Sequence, residues 1–142
     1  MSSPDTTTRA ATVDDDGAGM LLLQPFLLGD LKLRNRLVMA PLTWTRATLP
    51  GAIPNQLMRE YYAQRASAGL IITEGTFVSD RARGWFGAPG VYTEPQRKGW
   101  QNITDAVHRA GGRITVQLWH QGSVSSPDLV GKGQTPLLDL PP

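Results

Sequence analysis

Three short apolar runs, separated by two helix-length stretches, constrain this fold more than any other feature of the chain. Leu37-Val38-Met39-Ala40, Leu70-Ile71-Ile72-Thr73 and Ile114-Thr115-Val116-Gln117-Leu118-Trp119 are bounded by turn or charged residues. Runs of that length suit buried parallel strands, expected over residues 36–40, 70–73 and 113–119. Residues 56–68 carry the helix formers Met58, Glu60, Gln64 and Arg65, with Leu57, Tyr61, Ala66 and Leu70 near helical spacing. Gly69 is placed to stop that helix. Residues 94–110 predict a second helix, with Pro95 in its first turn and Trp100, Ile103, Val107 and Ala110 on one face. Gly111-Gly112 closes it. Upstream, apolar residues flank Gly29-Asp30, which predicts a hairpin over residues 25–33.

The order hairpin, strand, helix, strand, helix, strand predicts an α/β fold with βαβ units and a parallel sheet. A doubly wound nucleotide-binding sheet would carry Gly-x-Gly-x-x-Gly in its first strand-to-helix turn. This chain carries Ala40-Pro41-Leu42-Thr43 there. The long strand-to-helix loops, residues 43–55 and 74–92 among them, point instead to an eight-stranded (β/α) barrel, whose site is built from such loops.

Composition removes several function classes. The chain has no cysteine and only two histidines, His108 and His120, so thiolate chemistry is excluded and a metal site is not expected. A net charge of +2 without a Lys/Arg block argues against a nucleic-acid partner. No apolar stretch approaches the ~20 residues that span a membrane. Residues 1–20 are polar, lack aromatics and carry no signal-like apolar run, and read as a disordered tail before a domain at 21–142. A cytoplasmic location is the default expectation. The segment Asp80-Arg81-Ala82-Arg83-Gly84-Trp85 reads as a solvated loop.

Four segments carry a family resemblance. They are Leu31-Lys32-Leu33-Arg34-Asn35-Arg36 leading into Val38-Met39-Ala40-Pro41-Leu42-Thr43; Glu60-Tyr61-Tyr62-Ala63-Gln64-Arg65-Ala66; Ala68-Gly69-Leu70-Ile71-Ile72-Thr73-Glu74-Gly75-Thr76; and Gly111-Gly112-Arg113-Ile114-Thr115-Val116-Gln117-Leu118-Trp119-His120. In this order they resemble the Old Yellow Enzyme family, the FMN-dependent ene-reductases or NADH:flavin oxidoreductases, over about residues 21–127. The resemblance implies a (β/α)8 barrel with FMN across the C-terminal mouth of its strands. The chain would supply the N-terminal hairpin and about the first three βα units. In the family, NAD(P)H reduces the flavin, which gives a hydride to the β-carbon of an activated alkene.

Residue by residue, the resemblance implies cofactor contacts from Ala40, Pro41, Leu42, Thr43, Gly75 and Gln117. It implies substrate contacts from Thr43 and Trp119. Each has a plainer alternative. Thr43 would serve as a local cap after a strand end. Gly75 would be a turn glycine, Gln117 a core glutamine bonded to backbone, and Trp119 a core aromatic. A buried Gln117 would need partners in any case, because an unsatisfied amide costs about 1–3 kcal/mol. Three positions depart from the family pattern: Trp44 stands where relatives usually carry arginine, and Ser123 and Ser126 where they often carry arginine and histidine.

In the family, the proton-donating tyrosine, the pair that grips the substrate carbonyl and the anchor of the FMN phosphate come from later strands, so no catalytic residue is assigned within this chain. The chain alone is expected to be inactive and to hold FMN weakly at most. The alternatives are a truncated non-catalytic paralogue or interaction module, or one half of a split enzyme. Partners expected are the small-molecule alkene, a C-terminal half, or further copies joined through exposed strand edges.

Overall fold

The computed structural model describes residues 20–126 and 128–130. The expected tail, apart from Met20, and residues 131–142 lie outside the described residues. The hairpin forms as expected. Strand β1 (Phe26–Leu28) pairs antiparallel with β2 (Leu31–Leu33), with Phe26 opposite Leu33. Gly29 sits at φ +57° in the connecting turn, a conformation that costs glycine little.

A parallel sheet follows in the order β3-β4-β5, formed by β3 (Val38–Met39), β4 (Leu70–Phe77) and β5 (Ile114–Trp119). Val38 lies opposite Leu70, and Ile71 opposite Ile114. Helix α1 (Gln56–Ala63) connects β3 to β4, and α2 (Glu94–Arg109) connects β4 to β5. Both helices bury one face against the sheet. Met58, Tyr62 and Ala66 meet Ile71 of β4 and Trp100, Ile103 and Val107 of α2 in one apolar cluster.

The ends of α2 follow the expected chemistry. Pro95 lies in its first turn, and the Gln96 side chain reaches back to accept from the amides of Tyr92 (2.9 Å) and Thr93 (3.0 Å). Gly111 closes it at φ +75°. At α1, Asn55 Oδ1 accepts from the Met58 amide at 3.1 Å.

Five expectations are corrected. Helix α1 stops at Ala63, and tighter turns carry the chain on, with Arg65 bonding back to Tyr62 and Ala66 to Ala63. Its inward face is Met58 and Tyr62, not Leu57, which is 51% exposed. Gly69 therefore stops no helix. It is glycine because a Cβ there would lie 2.1 Å from the Asn35 carbonyl oxygen. On α2, Ala106 rather than Ala110 completes the buried stripe. Strand β4 extends four residues past Thr73, because β5 and the loop carrying Pro89 to Val91 both pair with its second half. Of the three strands of this sheet only β4 is buried along nearly its whole length; β3 and β5 are largely exposed. The described residues close no barrel.

Candidate functional site

The geometry of the sheet's C-terminal end begins with a β-bulge. Ile72 pairs with Thr115, but the next pair is Gly75 with Gln117, so β4 advances three residues while β5 advances two. The extra residue lies at Thr73–Glu74. Side chains repair the interrupted ladder. The Gln117 amide donates to Thr73 Oγ1 (3.1 Å), whose hydroxyl donates to the Glu74 carbonyl (3.0 Å). The Glu74 amide donates to the Tyr62 hydroxyl oxygen (2.9 Å). Every polar group displaced by a bulge needs such a partner when buried.

Alternation along the strands sorts the expected site residues onto one face. Ile114 packs into the helix cluster, so Gln117 and Trp119 point to the opposite side. Gly75 and Phe77 share that side through their pairing with Gln117 and Trp119. The Trp119 ring stacks on Phe77 with centroids 5.5 Å apart and planes 18° off parallel. A Cβ on Gly75 would lie 2.1 Å from Trp119 Cε3. Gly75 is thus glycine because an indole covers its α-carbon, and its backbone needs no positive φ. Ala40, Pro41, Leu42 and Thr43 follow β3 directly and are all exposed.

The expectation of a buried Gln117 is corrected: its side chain is exposed, because β5 is an uncovered edge strand. No burial penalty forces its amide to pair. Among the described residues, the Gln117 side-chain carboxamide and the Thr43 hydroxyl make no hydrogen bond. Both are therefore available to a ligand. That donor and acceptor set suits the carbonyl and N–H groups of a flavin's pyrimidine edge.

The loops beyond the strands are anchored. Ala82 is fully buried beside Phe77 and Ala88, and Asp80 accepts from Tyr92 Oη (3.3 Å) and pairs with Arg83 (3.4 Å). The Gln121 amide donates to the Ala82 carbonyl (3.1 Å), and Ser125 Oγ donates to the Arg83 carbonyl. The loop at 80–85 is therefore a packed connection to the loop after β5 and not a solvated excursion, although Trp85 remains exposed. At the family departures, Trp44 stacks on Tyr61 with centroids 4.2 Å apart, Ser123 is exposed, and Ser126 Oγ accepts from the Asp128 amide (3.4 Å). His120 Nδ1 accepts from the Gly122 amide at 3.0 Å, a local turn contact.

Sequence reasoning missed Glu74, which it placed at the start of a loop. Glu74 is 1% exposed on β4, and its Oε2 accepts from the amides of Trp44 (2.9 Å) and Thr45 (3.1 Å). Burial pushes its carboxyl above the usual range, while those two amides and Arg46 pull the other way. Burial likewise raises the Tyr62 phenol. The signal was a carboxylate immediately after an apolar run that reads as a buried strand. Among the described residues, no group of three metal-ligating side chains occurs, and no helix is long and apolar enough to cross a membrane.

The model of the NADH:flavin oxidoreductase / NADH oxidase family matches residues 21–137. Flavin oxidoreductase hxnT of Emericella nidulans is 44% identical over 126 residues, which cover 84% of this chain and 32% of that protein. 12-oxophytodienoate reductase 1 of Oryza sativa subsp. japonica is 43% identical over 121 residues, covering 84% of this chain and 31% of the reductase. Among solved structures, morphinone reductase in complex with tetrahydroNAD superimposes with a TM-score of 0.77 at 50% identity, over 81% of this chain and 31% of that one. The chain thus spans about a third of the length of the relatives it matches.

Proposed function

Because this chain belongs to the NADH:flavin oxidoreductase / NADH oxidase family, the Old Yellow Enzymes, we propose that it carries the pyrimidine-edge part of an FMN site in an ene-reductase. The observation that carries this reading is the pair of unpartnered polar side chains, Thr43 and Gln117, exposed at the C-terminal ends of β3 and β5. The chemistry that bound FMN supplies is the relay of a hydride from NAD(P)H to the β-carbon of an activated alkene.

The chain's own residues bind and orient. Residues 40–43 present small and conformationally restricted backbone at the strand end, so the ring can approach closely. The Thr43 hydroxyl would donate to a ring carbonyl of the bound flavin, and a donor there would favour the reduced ring and so raise its potential. The Gln117 amide offers one acceptor and two donors to the same edge. Trp119, held by its stack on Phe77, forms a wall of the substrate side. Anchoring of the FMN phosphate, grip on the substrate carbonyl and proton transfer to the α-carbon are assigned to no residue of this chain.

A titration of FMN fluorescence against the chain tests the reading. Thr43→Ala and Gln117→Leu should each weaken FMN binding by roughly tenfold, the worth of one hydrogen bond to a ring that gains charge. Unchanged affinity in both variants would contradict it.

A specific feature favours a second component to that reading. Val38, Leu42 and Leu118 are exposed, the last at 61%, and β3 and β5 each leave one edge unpaired within the described sheet. Such edges accept further strands. We propose that the flavin site is completed by strands that pair there. Co-expression of this chain with the remaining two thirds of a relative should raise flavin retention, and no gain would count against it.

A further inference from the structure

We propose that Glu74 is a positioning residue that holds the strand-end segment 40–43 in its ligand-facing shape by clamping the turn at Trp44 and Thr45. The inference rests on the flavin reading for what the segment does, and on geometry alone for the clamp. The bulge at Thr73–Glu74 changes the register of β4 against β5, from Ile72 opposite Thr115 to Gly75 opposite Gln117. Bulges re-aim side chains beside sites. Here one brings Glu74 Oε2 within hydrogen-bond distance of two successive amides, Trp44 at 2.9 Å and Thr45 at 3.1 Å.

The clamped turn needs such a hold. Thr45 lies at φ +59°, the left-handed region that a β-branched residue adopts only when its surroundings impose it. The Glu74 amide is itself fixed by the Tyr62 hydroxyl, and Tyr62 is fully within the helix cluster. Trp44, bonded to the carboxylate through its amide, also stacks on Tyr61 of α1. The turn therefore takes its position from β4 and α1 together. Thr43 is the next residue toward β3, so any slack at Trp44 moves the Thr43 hydroxyl.

Glu74 Oε1 is buried and has no hydrogen-bond partner among the described residues. The hold on the turn is made by Oε2 alone, and in Glu74→Gln the amide oxygen can still accept both bonds. Glu74→Ala removes both.

Amide hydrogen exchange resolved at Trp44 and Thr45, with FMN titration alongside, tests the clamp. In the unaltered chain both amides should exchange at least about tenfold more slowly than exposed loop amides. Glu74→Ala should lose that protection and bind FMN about tenfold more weakly, while amides in the middle of α2 keep theirs; Glu74→Gln should restore both to within roughly threefold. Free exchange of Trp44 and Thr45 in the unaltered chain overturns the clamp, whether or not Glu74→Ala folds. So does protection that survives Glu74→Ala. Loss of protection in Glu74→Ala supports the clamp even where the chain alone shows no FMN affinity; no FMN affinity in the chain co-expressed with the remaining two thirds of a relative sinks the flavin reading instead.

Discussion

Gly75→Ala should unseat Trp119, and the size of the effect follows from one distance. The new methyl group would lie 2.1 Å from Trp119 Cε3 and 2.8 Å from Cδ2, well inside contact distance. Gly75 has no positive φ, so the backbone accepts alanine and the whole cost falls on the indole. Forcing a ring out of a packed position costs about 1–3 kcal/mol, and losing its stack on Phe77 adds about 0.5–1.5 kcal/mol. We expect a loss of about 2–3 kcal/mol in urea unfolding followed by circular dichroism. The decisive comparison is a double-mutant cycle. With Trp119→Ala already in place, Gly75→Ala should cost nothing and can gain up to about 1 kcal/mol, since alanine suits a strand interior better than glycine. Equal costs in the two backgrounds would refute the argument, because they would place the reason for the glycine somewhere other than under Trp119.

Two further perturbations probe the frame around the site. Asn55→Ala removes the cap on Met58 and two loop bonds, to the Arg46 carbonyl (2.6 Å) and Thr48 Oγ1 (3.2 Å), and should cost about 1–2 kcal/mol in the same unfolding assay. The Glu74 carboxyl, raised in the fold by burial, contributes relative stability that is complete below its unfolded value and fades as pH rises through its folded value. The stability of the unaltered chain minus that of Glu74→Gln should therefore fall on going from acid to neutral pH; a flat or rising difference would show that burial is not the dominant influence on this group.

The alternation of strands and helices was legible because it rests on periodicity and punctuation. Gly29-Asp30, Pro95 and Gly111-Gly112 marked a hairpin turn, a helix start and a helix stop by their backbone chemistry, and each sits where expected. What failed was what depends on distant partners. The second half of β4 reads Glu-Gly-Thr, the language of a turn, and becomes strand only because β5 and residues 89–91 pair with it across a bulge. On helix α1 the spacing alone picks a face one residue off: Leu57 and Met58 are both apolar, and the cluster with Ile71 and Trp100 selects Met58. Gly69 looked like a helix stop, but its reason is the Asn35 carbonyl, far away in sequence. At the candidate site, residues 40–43 and Gln117 carry the family's pattern openly. Whether Gln117 is buried is a tertiary fact, and within the described sheet it is exposed.

The most direct test of the flavin assignment is where FMN touches the chain. Hydrogen exchange read by mass spectrometry, with and without saturating FMN, should show new protection in peptides covering residues 38–45 and 114–119 and none along α2. Protection elsewhere, with those two strand ends unchanged, would contradict the assignment.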